Sequence, residues 1–403
     1  MEELLQSAYH HLIKNLQLNT HRFLYSQFNL NSRLTGIIGP RGVGKTTLML
    51  QYIKEHHYVK QEAFYFTADH IYFNQTTMLE YVNKLYYEQG VRYVFIDEIH
   101  KYQNWEQELK NIYDTLTTVH LVFSGSSSLD LIKGTYDLSR RVRLYHLPGL
   151  SFREYLYLQS NKELSTVKLK NLLSEPMQYN ANLSQVEKIL GDFKDYLHHG
   201  YYPFVFEDET TYYEKVIRII EKTIYEDIAE YYKLKTENLH YLKKIISFLA
   251  SIPPGEINVH NIAKNLGIDF KTAFSYLTML QETGLVRMLY SSQGGNHILK
   301  KPEKIFLHNT SLLYALNKMR GLEPPIGNVR ELFVLQSVMD AGHQGHYSPE
   351  GDISVEGSIL EIGGKNKSMA QFNKNKTVGV LVKDNITAAT AHVIPLYYFG
   401  FLY

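Results

Sequence analysis

The chain contains no cysteine among its 403 residues. That excludes disulfide bridges, thiol catalysis and cysteine-ligated zinc or iron–sulfur centres, and it agrees with a reducing compartment. An excess charge of one sign is also lacking. With 42 Lys and Arg against 41 Asp and Glu, the formal net charge is +1, so a nucleic-acid contact would need a local basic patch. No uninterrupted apolar run of about 18 residues occurs, and Met1-Glu2-Glu3-Leu4-Leu5 carries no basic stretch ahead of an apolar one. These absences predict a soluble, cytoplasmic protein with no membrane partner. The 33 tyrosines are assigned to packing or interfaces, since number alone gives no stacking role. The length predicts roughly two to four domains.

What is present begins at Gly39-Pro40-Arg41-Gly42-Val43-Gly44-Lys45-Thr46-Thr47, directly after the apolar run Leu34 to Ile38. A triphosphate needs a concave set of backbone N–H donors. Glycines permit that turn, and the N-terminus of the following helix adds partial positive charge. Lys45 would reach the β and γ phosphates of ATP, and the Thr46 hydroxyl would complete a Mg2+ shell.

Arg92-Tyr93-Val94-Phe95-Ile96-Asp97-Glu98 reads as a buried parallel strand with two carboxylates at its C-terminal end, where α/β sheets bind ligands. Asp97 would hold the metal through water and Glu98 would polarise the attacking water, which suffices for phosphoryl transfer to water. A further strand, Val119 to Phe123, leads into Ser124-Gly125-Ser126-Ser127-Ser128. Ser126 or Ser124 is the candidate sensor of the γ-phosphate, although serine-rich turns also arise for backbone reasons alone. In Leu138-Ser139-Arg140-Arg141-Val142-Arg143, Arg140 and Arg141 are candidates to stabilise transition-state charge, in their own subunit or a neighbour's. Arg143 reads as an exposed strand residue.

The pattern predicts an N-terminal helical segment over 1–33, a P-loop core over 34–158, a helical lid over 159–232, a winged helix over 233–300 and a second α/β unit over 301–403. Strands are expected at 34–38, 62–66, 91–96, 119–123 and 142–146, an α/β class with a mostly parallel sheet. In the winged helix, Asp269 would cap a helix projecting Lys271, Thr272, Ser275 and Tyr276 outward toward DNA. Leu285 to Tyr290 and His297 to Leu299 would form the wing around Gly294-Gly295. The module is only mildly basic, so a protein partner remains an equal alternative to DNA.

In the last segment, Gly351-Asp352-Ile353-Ser354-Val355-Glu356 precedes Leu360-Glu361-Ile362-Gly363-Gly364-Lys365. An Asp and a Glu on neighbouring strands with a lysine two residues past the Glu would make a magnesium-dependent phosphodiesterase site. Here that position is Gly363. Lys365 reaches the face of Glu361 only if the strand runs on past two glycines.

These blocks, in this order, resemble the prokaryotic AAA+/STAND-like P-loop ATPases of the AAA_14 type that carry a C-terminal DUF4143 domain with a restriction-endonuclease-like fold. Further marks are Phe95-Ile96-Asp97-Glu98-Ile99-His100-Lys101 with Trp105 following, Leu147-Pro148-Gly149-Leu150-Ser151-Phe152-Arg153-Glu154-Tyr155, and Glu361-Ile362-Gly363-Gly364-Lys365-Asn366-Lys367 near Gln371. The resemblance implies ATP and Mg2+ binding by Lys45, Thr46 and Asp97, catalysis by Glu98, a polar sensor at the serine strand end and an arginine role at Arg140 or Arg141. It also places Glu331, Asp352, Glu361 and Gln371 in the nuclease-like pattern, with the missing lysine at 363 as a departure. The expected function is an ATP-driven switch that docks DNA or a protein partner, possible homo-oligomerisation included. The rivals are an ATP-regulated DNA nuclease and a nucleotide-binding interaction protein with little turnover.

Overall fold

Five short runs rich in aliphatic and aromatic residues build the first sheet: β1 (Leu34–Ile38), β2 (Ala63–Thr67), β3 (Tyr93–Asp97), β4 (His120–Gly125) and β5 (Val142–His146). The computed structural model describes residues 2–126, 138, 140–292, 301–368 and 379–403. It divides into two units, Met1–Pro148 and Gly149–Tyr403.

In the first unit the strands are parallel, in the order β2-β3-β4-β1-β5. β1 is buried along its whole length, as expected of a central strand in a parallel sheet covered on both faces. The covering helices are α1 (Glu2–Asn15), α2 (Lys45–His56), α3 (Met78–Glu88) and α4 (Trp105–Thr115). α1 buries Leu5, Tyr9 and Ile13 and lies against α2 and β2. Thr77 and Glu80 close a reciprocal capping box at the start of α3, satisfying two otherwise orphaned backbone donors. The strand order has a direct consequence for the site. Because β4 lies between β3 and β1, its serine-bearing end lies beside both the strand that carries the acidic pair and the strand that leads into the phosphate loop.

The second unit opens with α5 (Phe152–Ser160), capped by Ser151 and Glu154. Phe152 packs its ring against Phe193, Tyr196 and Phe401 at centroid distances of 5.2, 5.4 and 5.6 Å. The C-terminal carbonyl region returns to the same place, where Tyr403 O accepts from Ser151 Oγ (3.0 Å) and Arg153 Nε (2.9 Å). These contacts explain why the helices after Gly149 and the last strands form one unit. Next come α6 (Ile189–His199) and α7 (Tyr212–Lys222), the latter continuing into a π-helical segment, Thr223–Ile228. In the last turn of α6, His198 stacks on Tyr314 (4.0 Å).

Three further helices follow, α8 (Thr236–Leu249), α9 (Val259–Leu266) and α10 (Phe270–Glu282), then β6 (Val286–Leu289) and β7 (Lys304–Leu307). The Asp269 side chain accepts from the Thr272 N–H and starts α10. β6 pairs antiparallel with β7. The return strand is therefore 304–307, a buried Lys-Ile-Phe-Leu run, while Gly294, Gly295 and His297 to Leu299 lie outside the described residues.

After α11 (Thr310–Lys318) and α12 (Ile326–Asp340) comes a second sheet of β8 (Gly345–His346), β9 (Ile353–Val355), β10 (Ser358–Gly363), β11 (Gly379–Lys383) and β12 (Val393–Pro395), ordered β12-β11-β10-β9-β8. β8 to β10 run antiparallel and β10 to β12 parallel. Glu356 and Gly357 both have positive φ (47° and 79°), which makes the two-residue turn between β9 and β10 and fixes their register. Between β6 and α12 lies a buried ion pair, Arg287 Nη2 to Asp340 Oδ1 at 2.6 Å, with Tyr201 OH donating to Asp340 Oδ2 at 3.1 Å.

Candidate nucleotide-binding site

The loop between β1 and α2 is shaped by its glycines. Gly42 and Gly44 adopt φ of 79° and 95°, a region where a Cβ is strained. Gly39 is required for closeness, since a Cβ there would stand 2.0 Å from the Leu147 carbonyl oxygen. Lys45 is buried at 5 % exposure and its Nζ donates to the Gly39 and Pro40 carbonyls at 2.8 and 2.9 Å. Arg22, which sequence reasoning missed, braces the loop from outside: its guanidinium donates to the Val43 carbonyl and to Pro148 O. A lone arginine ahead of the first strand carries no motif that would single it out.

The acidic pair meets this loop directly. Thr46 Oγ1 donates to Asp97 Oδ2 at 2.5 Å, joining the first turn of α2 to the end of β3. Asp97 is 4 % exposed and also accepts from the Tyr65 phenol at 2.9 Å and from the Ser124 hydroxyl. Burial, and then the neighbouring Asp97 charge, push the Tyr65 pKa up, so this phenol stays a donor to Asp97. Tyr65 was not foreseen either, because only the pairing of β2 with β3 brings it there.

Glu98 leaves the strand in a left-handed conformation, φ 50° and ψ 42°. That turns its side chain away from the line of Asp97 and sets Oε2 3.3 Å from His100 Nε2. The two serines divide their duties. Ser124 is spent on the acidic pair, donating to Asp97 and accepting from the Glu98 N–H (3.2 Å), whereas the buried Ser126 hydroxyl has no hydrogen-bond partner among the described residues. Ser127, Ser128 and Ser139 lie outside the described residues.

Arg140 and Arg141 stand elsewhere. Leu34 pairs with Val142 and Ile38 with His146, so the two arginines precede the N-terminal end of β5 while the phosphate loop follows the C-terminal end of β1. Arg141 faces Asp114 at 3.4 Å, and Arg140 is exposed. A five-residue strand spans about 16 Å, which sets both arginines away from the phosphate loop of their own chain. Arg143 is exposed and bonds Asn29 Oδ1 at 2.9 Å.

In the second unit, Glu331 on α12, Asp352 before β9 and Glu361 on β10 converge, but the lysines around them differ from expectation. Lys304 on β7 sets its Nζ 2.8 Å from Glu331 Oε2 and 3.6 Å from Asp352 Oδ1. Lys367 reaches Glu361 Oε1 at 2.5 Å. Lys365 does not join them. β10 ends at Gly363, the strand alternation stops, and Lys365 is exposed. Asp352 Oδ2 accepts from the Ile362 N–H at 2.7 Å. Burial, and then the charge of Asp352, raise the Glu331 pKa, the sign expected of crowded carboxylates. Gln371 lies outside the described residues.

On α10, Lys271 and Ser275 are exposed, and Thr272 gives its hydroxyl and N–H to Asp269. Tyr276 does not project outward. It shares the buried face with Ala273, Leu277 and Leu280 and stacks on Tyr241 of α8 at 6.1 Å, because helical spacing puts residues three and four apart on one side.

A buried parallel sheet, a glycine loop at the end of β1 and a threonine bonded to a strand-end aspartate define a P-loop nucleotide-binding domain. Comparison with known proteins agrees: residues 31–156 match the family model described as AAA domain. Residues 190–323 match a domain of unknown function, DUF8612, a match that does not confirm the DUF4143 domain expected over 301–403. An uncharacterized protein of Methanocaldococcus jannaschii is 30 % identical over 301 residues, covering 69 % of this chain and 61 % of that one. A second from the same organism is 23 % identical over 312 residues, covering 72 % and 65 %. The chain thus spans less than two thirds of the length of these curated relatives. Among solved structures, AMPPCP-bound DnaA from Aquifex aeolicus is 17 % identical, covering 70 % of this chain and 88 % of that one with a TM-score of 0.26. PCH-2 of C. elegans is 18 % identical, covering 39 % and 46 %, with a TM-score of 0.24. Likeness this loose defines neither activity nor partner. Among the described residues no helix is long and apolar enough to cross a membrane.

Proposed function

We propose that the first unit binds ATP with Mg2+ and hydrolyses it, and that the nucleotide state sets the affinity of the second unit for a DNA or protein partner. The Thr46–Asp97 contact at 2.5 Å carries the reading, because it puts a hydroxyl and a buried carboxylate together beside the phosphate loop. An oxygen-only donor pair of this kind fits magnesium, which would be held by Thr46 directly and by Asp97 through water and would neutralise phosphate charge.

Lys45 exchanges the Gly39 and Pro40 carbonyls for phosphate oxygens when nucleotide enters, while the loop N–H groups cradle the phosphates. Glu98 orients the attacking water and takes its proton. Ser126, whose buried hydroxyl lacks a partner among the described residues, gains one in the γ-phosphate or that water. Tyr65 and Ser124, which both donate to Asp97, hold its side chain in place. Lys271 and Ser275 offer the exposed part of α10 to a partner.

The switch predicts that binding of duplex DNA, measured by fluorescence anisotropy, differs at least about fivefold between the ATP and ADP states, the lower end of ordinary coupling energies. If neither DNA nor a co-purifying protein distinguishes the two states, the switch is wrong.

A further inference from the structure

At the end of the first sheet away from the phosphate loop lies a cavity of about 350 Å3, within the size range of small-molecule sites. Its walls come from α1, the turn after α2, the start of β2 and the segment joining α3 to β3. β2 and β3 run in parallel away from it toward Asp97, and a five-residue strand spans about 16 Å. The cavity and the nucleotide site therefore stand at opposite ends of the sheet.

The floor is apolar and aromatic. Tyr9, Ala63, Phe64 and Val91 are buried, and the Tyr9 and Phe64 rings lie 4.9 Å apart at 48°. Tyr58 closes one side, 6.3 Å from Tyr9 at 73°. Rings set at such angles leave both faces and edges to meet a further ring. The Tyr9 hydroxyl is already committed to the Ala63 carbonyl at 3.2 Å, so Tyr9 serves here as a wall. The rim is polar, with the amides of Gln6, Gln61 and Gln89 beside the His10 ring. Each amide offers both donors and an acceptor. Among the described residues no Lys, Arg, Asp or Glu lines the cavity.

A second observation concerns Gln61. Its φ is 55°, a region that favours glycine, and its N–H donates to the Tyr58 carbonyl at 3.0 Å in a tight turn. Glycine would relieve that backbone, whereas the residue present brings an amide to the cavity.

We propose that this cavity binds a flat, uncharged ring whose edge carries both hydrogen-bond donors and acceptors, at a site separate from that of the triphosphate. A charged ligand would enter without a fixed counter-charge, which a half-buried site penalises. An aliphatic one would fill the floor but leave the tilted rings without an aromatic partner.

Benzamide is the probe, with the full chain, read by saturation-transfer difference NMR. The expected result is saturable binding with a Kd of about 10 mM or tighter, the low end of ordinary ligand efficiency for a molecule of this size. Benzoate and cyclohexanecarboxamide should compete for the site at least about fivefold more weakly. Gln61→Gly relaxes the turn and removes one amide, and is expected to weaken benzamide about fivefold, the effect of one hydrogen bond. Gln6→Phe fills the cavity from α1 and should abolish binding, and saturating ATP should leave the benzamide signal unchanged. Thermal unfolding checks that each variant folds, with Tyr58→Ala in reserve as a change that removes a wall. Absence of saturable binding by the wild type overturns the proposal. So do full binding by the folded Gln6→Phe and Tyr58→Ala variants, equal competition by benzoate or cyclohexanecarboxamide, and displacement of benzamide by ATP.

Discussion

Glu98→Gln is expected to leave ATP binding near the wild-type level and to lower turnover by about 10²–10⁴-fold, the usual contribution of a positioned general base. The amide keeps the shape of the side chain, and Lys45, Thr46 and Asp97 stay where they are. What disappears is a proton acceptor on the water side of the phosphate. The left-handed backbone at residue 98 makes the position specific, because it is what separates the direction of Glu98 from that of Asp97. Fluorescent-nucleotide titration together with steady-state phosphate release reads both parts. A variant that hydrolyses ATP at the wild-type rate would remove Glu98 from the chemistry.

The largest stability effect should come from Asp340→Asn. Arg287 and Asp340 have side chains 5 and 7 % exposed, and Arg287 also donates through Nε to the His308 carbonyl at 2.6 Å. Burial, and then the Arg287 charge, hold the His308 pKa well below its ordinary value, so the imidazole stays neutral and adds no second positive charge beside Arg287. Neutralising Asp340 strands a buried guanidinium, which costs about 3–5 kcal/mol. Replacing both partners, as in Arg287→Met/Asp340→Leu, should cost less than the single change, because the desolvation penalty goes with the pair. Hydrogen exchange of α12 and β6 tests this without assuming that the two units unfold together. Equal protection in wild type and Asp340→Asn would contradict it.

The first unit was legible in the sequence because β1, β3 and β4 are short apolar runs, each ended by a chemical motif. Expected strands at 34–38 and 142–146 coincide with β1 and β5, and the others differ by one or two residues at each end. The placement of Thr46 beside Asp97 follows from that order. Other features were hidden for physical reasons. The position of Arg140 and Arg141 depends on which end of β5 they precede, and only the parallel pairing of β1 with β5 reveals it. Tyr276 looked like a surface residue in a helix read alone, and α8 covers it. The lysines at the acidic cluster were beyond reach of spacing rules, since Lys304 comes from a different sheet and Lys367 from a turn that bends back over Gly363. Arg22 and Tyr65 act through a backbone carbonyl and a neighbouring strand, contacts with no signature along the chain.

The central claim is that the first unit hydrolyses ATP at the site built from the phosphate loop and the end of β3. Phosphate release by the wild type in Mg2+ and in EDTA, beside Lys45→Met in Mg2+, tests it most directly, with protein concentration and duplex DNA varied so that a self-association or DNA requirement is met. The account predicts release that needs Mg2+ and vanishes in Lys45→Met. Release that persists in EDTA or in Lys45→Met, or its absence under every condition despite bound ATP, would contradict it.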